Sequence, residues 1–315
     1  MPFAPSYPTF ALISDWHQPT AGPEATAHQR RACELIEDLS PSAVLCAGDA
    51  LVNGQQNGLL DFIQGKLTVP IYIAPGNHDA TSPPWVPYGT VADDPHAALK
   101  AAFPQIYGAN DWGMLTIEGV RIYFCSNNSP HVSSAGEDTY RNCNPPGNQT
   151  GNPERSGWSD PQSAQRSWLN AACQNWAGEH VLLITHRPHF APFSSDIRPL
   201  HPCSQALEIP VQASVGKTFL NLGADIHIGS HCRVSAFGCE FNTLTLRGGY
   251  FNRAVDPIIE TLWEAGNGGQ HEVDVAFLRY EFGAAQIEVW TVSDEYPDGI
   301  LSHAATILPV TGGAQ

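Results

Sequence analysis

The sequence is poor in positive charge. Its 315 residues include 15 lysines and arginines against 31 aspartates and glutamates, so the formal net charge at pH 7 is −16. A surface of this sign repels nucleic-acid backbones and anionic membranes, which argues against a general DNA- or RNA-binding protein. It does not exclude a phosphate substrate, because a bound cation reverses the field locally. An acidic protein that handles phosphate therefore needs a metal ion or a cluster of arginines.

Long apolar runs and a leader peptide are also missing. The longest apolar stretches, such as residues 181–184, have the length of a β-strand, so no membrane insertion is expected. Residues 1–6 lack a basic flank and an apolar segment of leader type. These features predict a cytoplasmic protein, or a secreted or periplasmic one whose leader has been removed. The sequence leaves the oligomeric state open.

The eight cysteines contain no Cys-x-x-Cys pair, which argues against a cysteine zinc site. Cys33, Cys46 and Cys125 lie in apolar, periodic segments and are expected to be small buried hydrophobic residues. The others considered lie in loop-like surroundings where a disulfide could form: Cys143, Cys203, Cys232 and Cys239. The redox compartment stays open.

Apolar segments of strand length alternate with helical segments, which predicts a mostly parallel, buried sheet. Strands are predicted at residues 9–14, 43–47, 69–74, 181–184 and 225–229. Helices are predicted at residues 24–39, 59–64, 162–176 and 215–222. No repeat or linker divides the chain, so one domain is expected over residues 1–315, with the motifs within 9–250 and C-terminal strands at 270–293.

Five short polar segments each follow a predicted strand. They are Asp15-Trp16-His17, Gly48-Asp49, Gly76-Asn77-His78-Asp79, Thr185-His186 and Gly229-Ser230-His231. Open α/β sheets bind ligands at the carboxyl ends of their strands, so these side chains are expected to converge at one edge. Carboxylate, amide and imidazole groups are the ligands that zinc, iron and manganese take in proteins. The pattern therefore predicts a metal site.

The motifs and their order resemble the calcineurin-like metallophosphoesterase superfamily, which includes purple acid phosphatases and cyclic-nucleotide phosphodiesterases. Residues 183–188, with Thr185-His186 at their centre, are similar to the purple acid phosphatase version. The resemblance implies a four-layer α/β/β/α sandwich, in which two mixed sheets are flanked by helices. It also implies hydrolysis of a small phosphate ester, either a monoester or a diester, by a metal-activated water.

The resemblance implies a role for each motif residue. Asp15 and His17 would bind a first metal ion, and Asp49 would bridge it to a second. The remaining ligands of the second ion would be Asn77, His186 and His231. His78 would face the substrate as an acid or as a stabiliser of negative charge, and Asp79 would orient His78. The cofactor expected is a pair of divalent or trivalent ions, drawn from Zn, Mn, Fe and Mg.

One position departs from the family pattern. The family's last motif is Gly-His-x-His, whose second histidine binds the first metal, but here Arg233 stands in its place. A guanidinium stays charged and is not an ordinary metal ligand. Three interpretations stay open: two ions with one held weakly, one ion with Arg233 clamping the phosphate directly, or an inactive relative that binds metal or phosphate without catalysis.

Other histidines are expected to have no role in the site. The ones predicted to be surface residues are His28, His96, His180, His271 and His303.

Overall fold

The protein is described by a computed structural model that covers residues 8–16, 23–50, 66–76, 79, 97–126, 131–132, 138–139, 164–186, 188–193, 196–199, 202–224, 229–248 and 272–312. No helix in these ranges is long and apolar enough to cross a membrane.

The strands, in chain order, are β1 Thr9–Ile13, β2 Ala43–Cys46, β3 Ile71–Ile73, β4 Gly113–Ile117, β5 Val120–Cys125, β6 His131–Val132, β7 Asp138–Thr139, β8 His180–Thr185, β9 Phe190–Phe193, β10 Asp196–Pro199, β11 Thr218–Gly223, β12 Ser230–Ala236, β13 Cys239–Thr245, β14 Val273–Glu281, β15 Ala284–Val292, β16 Ile300–Ile307 and β17 Thr311–Gly312. The α-helices are α1 Pro23–Leu39, α2 Ala97–Ala102, α3 Pro104–Tyr107, α4 Ala164–Gln174 and α5 Glu208–Gln212, and a 3-10 helix spans Pro202–Leu207.

Two mixed sheets form the centre of the fold. The first has the strand order β16-β15-β14-β1-β2-β3, and the second has the order β12-β13-β11-β8-β5-β4, with β17 also paired to β13. Strands β1, β2 and β3 are parallel, as are β5, β8, β11 and β13, while the outer hairpins are antiparallel. The mostly parallel sheet predicted from strand alternation is therefore corrected to two mixed sheets, and the four-layer sandwich is confirmed.

Strand periodicity explains the layers. Ile122 and Phe124 of β5 belong to the core cluster that both sheets share, whereas Tyr123 and Cys125 between them belong to the cluster under helices α4 and α5. Successive side chains of a strand point to opposite faces, so each central strand serves both cores. Helix α1 covers the outer face of the first sheet at β14 and β15.

One segment predicted as a helix is a strand. Residues 218–222 of the predicted helix 215–222 belong to β11, which lies between β8 and β13 in the second sheet. All six of its residues are buried, and β-branched and aromatic side chains fit such a position better than a helix surface. Predicted helix 59–64 and all but Gly229 of predicted strand 225–229 lie outside the described residues, and Gly229 is not in a strand.

Six cysteines are buried free thiols, and they include Cys33, Cys46 and Cys125 as predicted. Cys232 and Cys239 lie in the β12–β13 hairpin rather than in loops, and they form no disulfide with each other. Cys143 lies outside the described residues.

A buried ion pair joins the two sheets. The guanidinium of Arg247, just after β13, donates from Nε to Asp274 Oδ2 and from Nη2 to Asp274 Oδ1, each at 3.0 Å, and it also contacts Glu272. Two parallel hydrogen bonds of this kind hold both orientation and distance. The pair therefore fixes the end of β13 against the start of β14, beside the carboxyl end of β1.

Candidate metal centre

Three predicted ligands meet where the two sheets face each other. Asp15 follows β1, Asp49 follows β2 and His186 follows β8, and all three side chains are buried. One ligand atom from each lies within 4.8 Å of the others, so the three side chains form a group that could hold a metal ion. Two carboxylates buried this close together repel each other strongly unless a positive charge lies between them.

The backbone at the two aspartates adopts a conformation that is uncommon for a residue with a side chain. Asp15 and Asp49 have φ angles of 55° and 51°, in the left-handed region. The Asp15 N–H donates to the carbonyl of Gly48 at 3.0 Å, so the two strand ends hold each other in place. Backbone strain of this type persists where surrounding contacts impose it, and it clusters at functional sites.

The hydrogen bonds of His186 determine which ring nitrogen is available. Its Nδ1 lies 2.9 Å from the carbonyl oxygen of Ala47. A carbonyl can only accept, so Nδ1 carries the hydrogen, and in the neutral ring Nε2 has a lone pair. That Nε2 lies 3.2 Å from Asp49 Oδ2. Neither atom then has a hydrogen to share, so a positive charge, either a second ring proton or a metal ion, has to lie between them.

Asp79 has a role that the sequence did not predict. Its Oδ2 accepts the N–H of Gly76 at 2.7 Å and the N–H of Asp49 at 2.9 Å. The carboxylate is fully buried and therefore ties the loop after β3 to the loop after β2. Its predicted partner His78 lies outside the described residues, so that pairing stays a prediction.

Two further groups hold the loop that carries Asp15. A side chain at Gly248 would place its Cβ 2.1 Å from the carbonyl oxygen of Asp15, so only glycine allows this approach. The buried amide of Gln29 donates to the carbonyls of Trp16 at 2.8 Å and Gly248 at 3.4 Å. Gln29 is a polar residue on the buried face of α1. Its place on the apolar side of the helical pattern was the sequence signal that could have identified it.

The last motif lies at the edge of the second sheet. His231 is on β12 and pairs in register with Leu244, which belongs to the core between the sheets. Its Nδ1 lies 3.3 Å from Nε2 of His303 on β16. Burial and the neighbouring His303 lower the pKa of His231 to about 4, and burial also lowers the pKa of His303. Both rings are therefore neutral at pH 7.

His231 does not belong to the group of Asp15, Asp49 and His186, and its assignment as a ligand stays a prediction.

Three of the histidines predicted to lie at the surface are placed differently: His28 and His180 are buried, and His303 is half-buried against His231. The other predicted site residues that the structure does not describe are His17 and Asn77.

Arg233 points toward an acidic partner. Its Nε donates to Glu240 Oε2 at 3.1 Å, and its Nη2 donates to Thr311 Oγ1 at 3.3 Å. This pairing leaves less of its charge available to a phosphate. The structure therefore gives no support to Arg233 as a phosphate clamp, and that role stays a prediction.

Comparison with known proteins agrees with this geometry. The sequence model of the calcineurin-like phosphoesterase family matches residues 8–231, which include all three clustered ligands and more than half of the chain. No curated protein sequence matches the chain. The solved structure of PhoD aligns with a TM-score of 0.60 at 9% identity, over 98% of this chain and 72% of that chain. GAP50, the anchor in the inner membrane complex of Plasmodium, aligns with a TM-score of 0.55 at 12% identity, over 96% and 89%. At such identities the two structures show a shared fold.

Proposed function

Because the chain belongs to the calcineurin-like phosphoesterase family, we propose that it hydrolyses phosphate esters, with metal ions held by Asp15, Asp49 and His186. The observation that carries this proposal is the buried cluster of these three side chains, whose ligand atoms lie within 4.8 Å of one another. Carboxylate oxygen and imidazole nitrogen suit zinc, manganese and iron. The ligands thus fit the ions that the sequence motifs imply.

Each clustered residue contributes through its own geometry. Asp49 has two carboxylate oxygens, and its ligand atom lies within 4.8 Å of those of both Asp15 and His186, so it would be able to bridge two ions. His186 offers Nε2, because its Nδ1 hydrogen is held by the Ala47 carbonyl. A bound ion would supply an activated water and would stabilise the charge that develops on the phosphate. His17 is proposed as a further ligand of the first ion, and Asn77 and His231 are proposed as further ligands of the second.

The charge of the chain makes the ions necessary for substrate binding as well as for hydrolysis. The net charge is −16, and two of the acidic groups are buried in the site itself. A phosphate ester carries one or two negative charges near neutral pH, so the metal-free site would repel it. Bound cations reverse the local field and allow a small anionic substrate to approach.

Removal of metal is expected to abolish hydrolysis. After exhaustive treatment with a chelator, hydrolysis of an aryl phosphate monoester and an aryl phosphate diester should fall to the uncatalysed rate. Readdition of Zn²⁺, Mn²⁺, Fe²⁺ or Mg²⁺, one at a time, should restore the rate for at least one ion. Metal content measured by mass spectrometry on the same samples is the control. Full activity in protein shown to be metal-free would contradict the proposal.

A second candidate function is metal or phosphate binding without catalysis. It is favoured by Arg233, which replaces the histidine that normally completes the first metal site. GAP50 is described as an anchor, and it shows that this fold is compatible with a structural role. Under this alternative, the protein would bind metal but would not accelerate hydrolysis of either ester.

Substitution of Arg233 separates a phosphate clamp from a surface ion pair. The Arg233 and Glu240 side chains are 30% and 53% exposed, and an ion pair of that kind is worth about 0–1 kcal/mol. Arg233→Gln should therefore keep kcat/KM within about threefold of wild type, because a change of about 0.5 kcal/mol in the activation free energy corresponds to a factor of about two to three in rate. Glu240→Gln, which breaks the same ion pair from the other side, is the matched control. A loss of kcat/KM in Arg233→Gln of more than about a hundredfold, with Glu240→Gln unaffected, would instead identify a clamp.

A further inference from the structure

His303 contacts a predicted metal ligand from a strand outside the family match. The match ends at residue 231, whereas His303 lies on β16, the edge strand of the first sheet. His231 lies on β12, the edge strand of the second sheet. The two ring centroids are 5.3 Å apart with an interplanar angle of 49°, and Nδ1 of His231 lies 3.3 Å from Nε2 of His303. The contact therefore joins the two sheets at their edges.

At a pH above the ordinary histidine pKa of about 6.5, both rings of this contact are neutral, and the hydrogen bond between them runs in one of two directions. Each neutral ring has one N–H and one lone pair, so one ring donates and the other accepts. If His231 donates from Nδ1, its Nε2 has the lone pair. If His303 donates instead, His231 carries its hydrogen on Nε2.

The surroundings of His231 Nε2 distinguish the two directions. This nitrogen is buried and has no partner at hydrogen-bond distance among the described residues. The Asn242 side chain also interacts with the His231 ring and raises its pKa, which opposes the effect of burial. A hydrogen on Nε2 would be a buried donor without an acceptor, which costs about 1–3 kcal/mol. A lone pair on Nε2 is a site for a cation, and a histidine that binds metal commonly donates its other N–H to a neighbour.

We propose that His303 is a positioning residue, which accepts the Nδ1 hydrogen of His231 and so keeps His231 Nε2 free of hydrogen for a metal ion. This inference rests on the proposed function and on the predicted role of His231 as a ligand. His303 itself does not touch the metal or the substrate. Its effect is to select one of the two tautomers of the ligand before the metal arrives.

The direct test is the tautomer of His231 in metal-free protein. Long-range ¹H–¹⁵N correlation spectra of ¹⁵N-histidine-labelled protein at pH 7.5 report which ring nitrogen carries the hydrogen, and a His231→Gln variant assigns the resonance. Wild type should show hydrogen on Nδ1 and a bare Nε2. His303→Leu removes the acceptor and should shift His231 toward hydrogen on Nε2. His303→Gln should keep the wild-type tautomer, because its Oε1 can reach the position of the imidazole Nε2 and accept.

Two results would overturn the inference: a hydrogen on His231 Nε2 in the wild type, or the same tautomer in wild type and His303→Leu. Zn²⁺ affinity supplies a second readout that simple packing would not move. His303→Leu should weaken affinity about 10–100-fold, as loss of an orienting partner does, whereas His303→Gln should stay close to wild type. Equal affinity in wild type and His303→Leu, at equal thermal stability, would also count against it. Because the tautomer is read without metal or substrate, absence of hydrolysis in the wild type would contradict the proposed function without deciding the role of His303.

Discussion

Asp49→Asn is expected to lower kcat for an aryl phosphate ester by at least about a thousandfold at saturating metal. The substitution removes one negative charge from the cluster with Asp15 and His186 and leaves an amide, which binds cations more weakly than a carboxylate. A metal ion contributes several kcal/mol of charge stabilisation in the transition state, and each 1.36 kcal/mol corresponds to a factor of ten in rate. Steady-state kinetics with Zn²⁺ and Mn²⁺ measure this loss.

The same variant separates chemistry from folding. Removal of one of two neighbouring buried carboxylates relieves their repulsion, so the metal-free variant should unfold no more easily than metal-free wild type. Wild type should gain stability when metal is added, and Asp49→Asn should gain much less. Asp38→Asn, on the exposed side of α1, is the matched control and should behave as wild type. Asp49→Asn with wild-type kcat would show that the clustered carboxylates do not carry the reaction.

Gly76→Ala is expected to disrupt the site strongly. An added Cβ would lie 2.2 Å from the Asp49 amide nitrogen, 2.3 Å from Asp49 Oδ1 and 2.8 Å from Asp79 Oδ2. These atoms belong to the hydrogen-bonded connection between two loops, so they cannot move away independently. Forced overpacking of this kind typically costs about 1–3 kcal/mol and sometimes more. Stability should therefore fall, and bound metal should be lost because Asp49 is displaced.

Gly312→Ala provides the matched comparison for Gly76→Ala. Its added Cβ would have Val215 Cγ1 at 3.9 Å as its nearest neighbour, an ordinary contact, and Gly312 has no positive φ angle. The expected change in the free energy of unfolding is within about 0.5 kcal/mol. Thermal unfolding and metal content, measured on both variants and on wild type, test the difference. Unchanged values for Gly76→Ala would mean that the two loops are not packed as described.

The sequence predicted the clustered ligands because each lies directly after an apolar strand. Asp15, Asp49 and His186 follow β1, β2 and β8, and the carboxyl ends of parallel strands are where α/β folds place polar side chains. This local rule needs no knowledge of how the strands are ordered. The resemblance to a family then supplied the sandwich architecture, which strand alternation alone had represented as a single, mostly parallel sheet.

Contacts between distant parts of the chain could not be predicted in this way. The approach of Gly248 to Asp15 and the hydrogen bonds of Asp79 depend on which loops meet, and periodicity does not carry that information. His303 was predicted to be a surface residue, because nothing near it in the sequence indicates that β16 faces β12. Residues 215–222 were predicted as a helix, because the partners that make β11 a strand, β8 and β13, are elsewhere in the chain.

The most direct measurement is an anomalous difference map from crystals soaked in Zn²⁺ and recorded at the zinc edge. The expected result is a strong peak about 2.0–2.2 Å from oxygens of Asp15 and Asp49 and from Nε2 of His186. A well-ordered site in which His186 Nε2 still contacts Asp49 Oδ2 directly, with no anomalous peak at saturating Zn²⁺, would contradict the proposed metal centre.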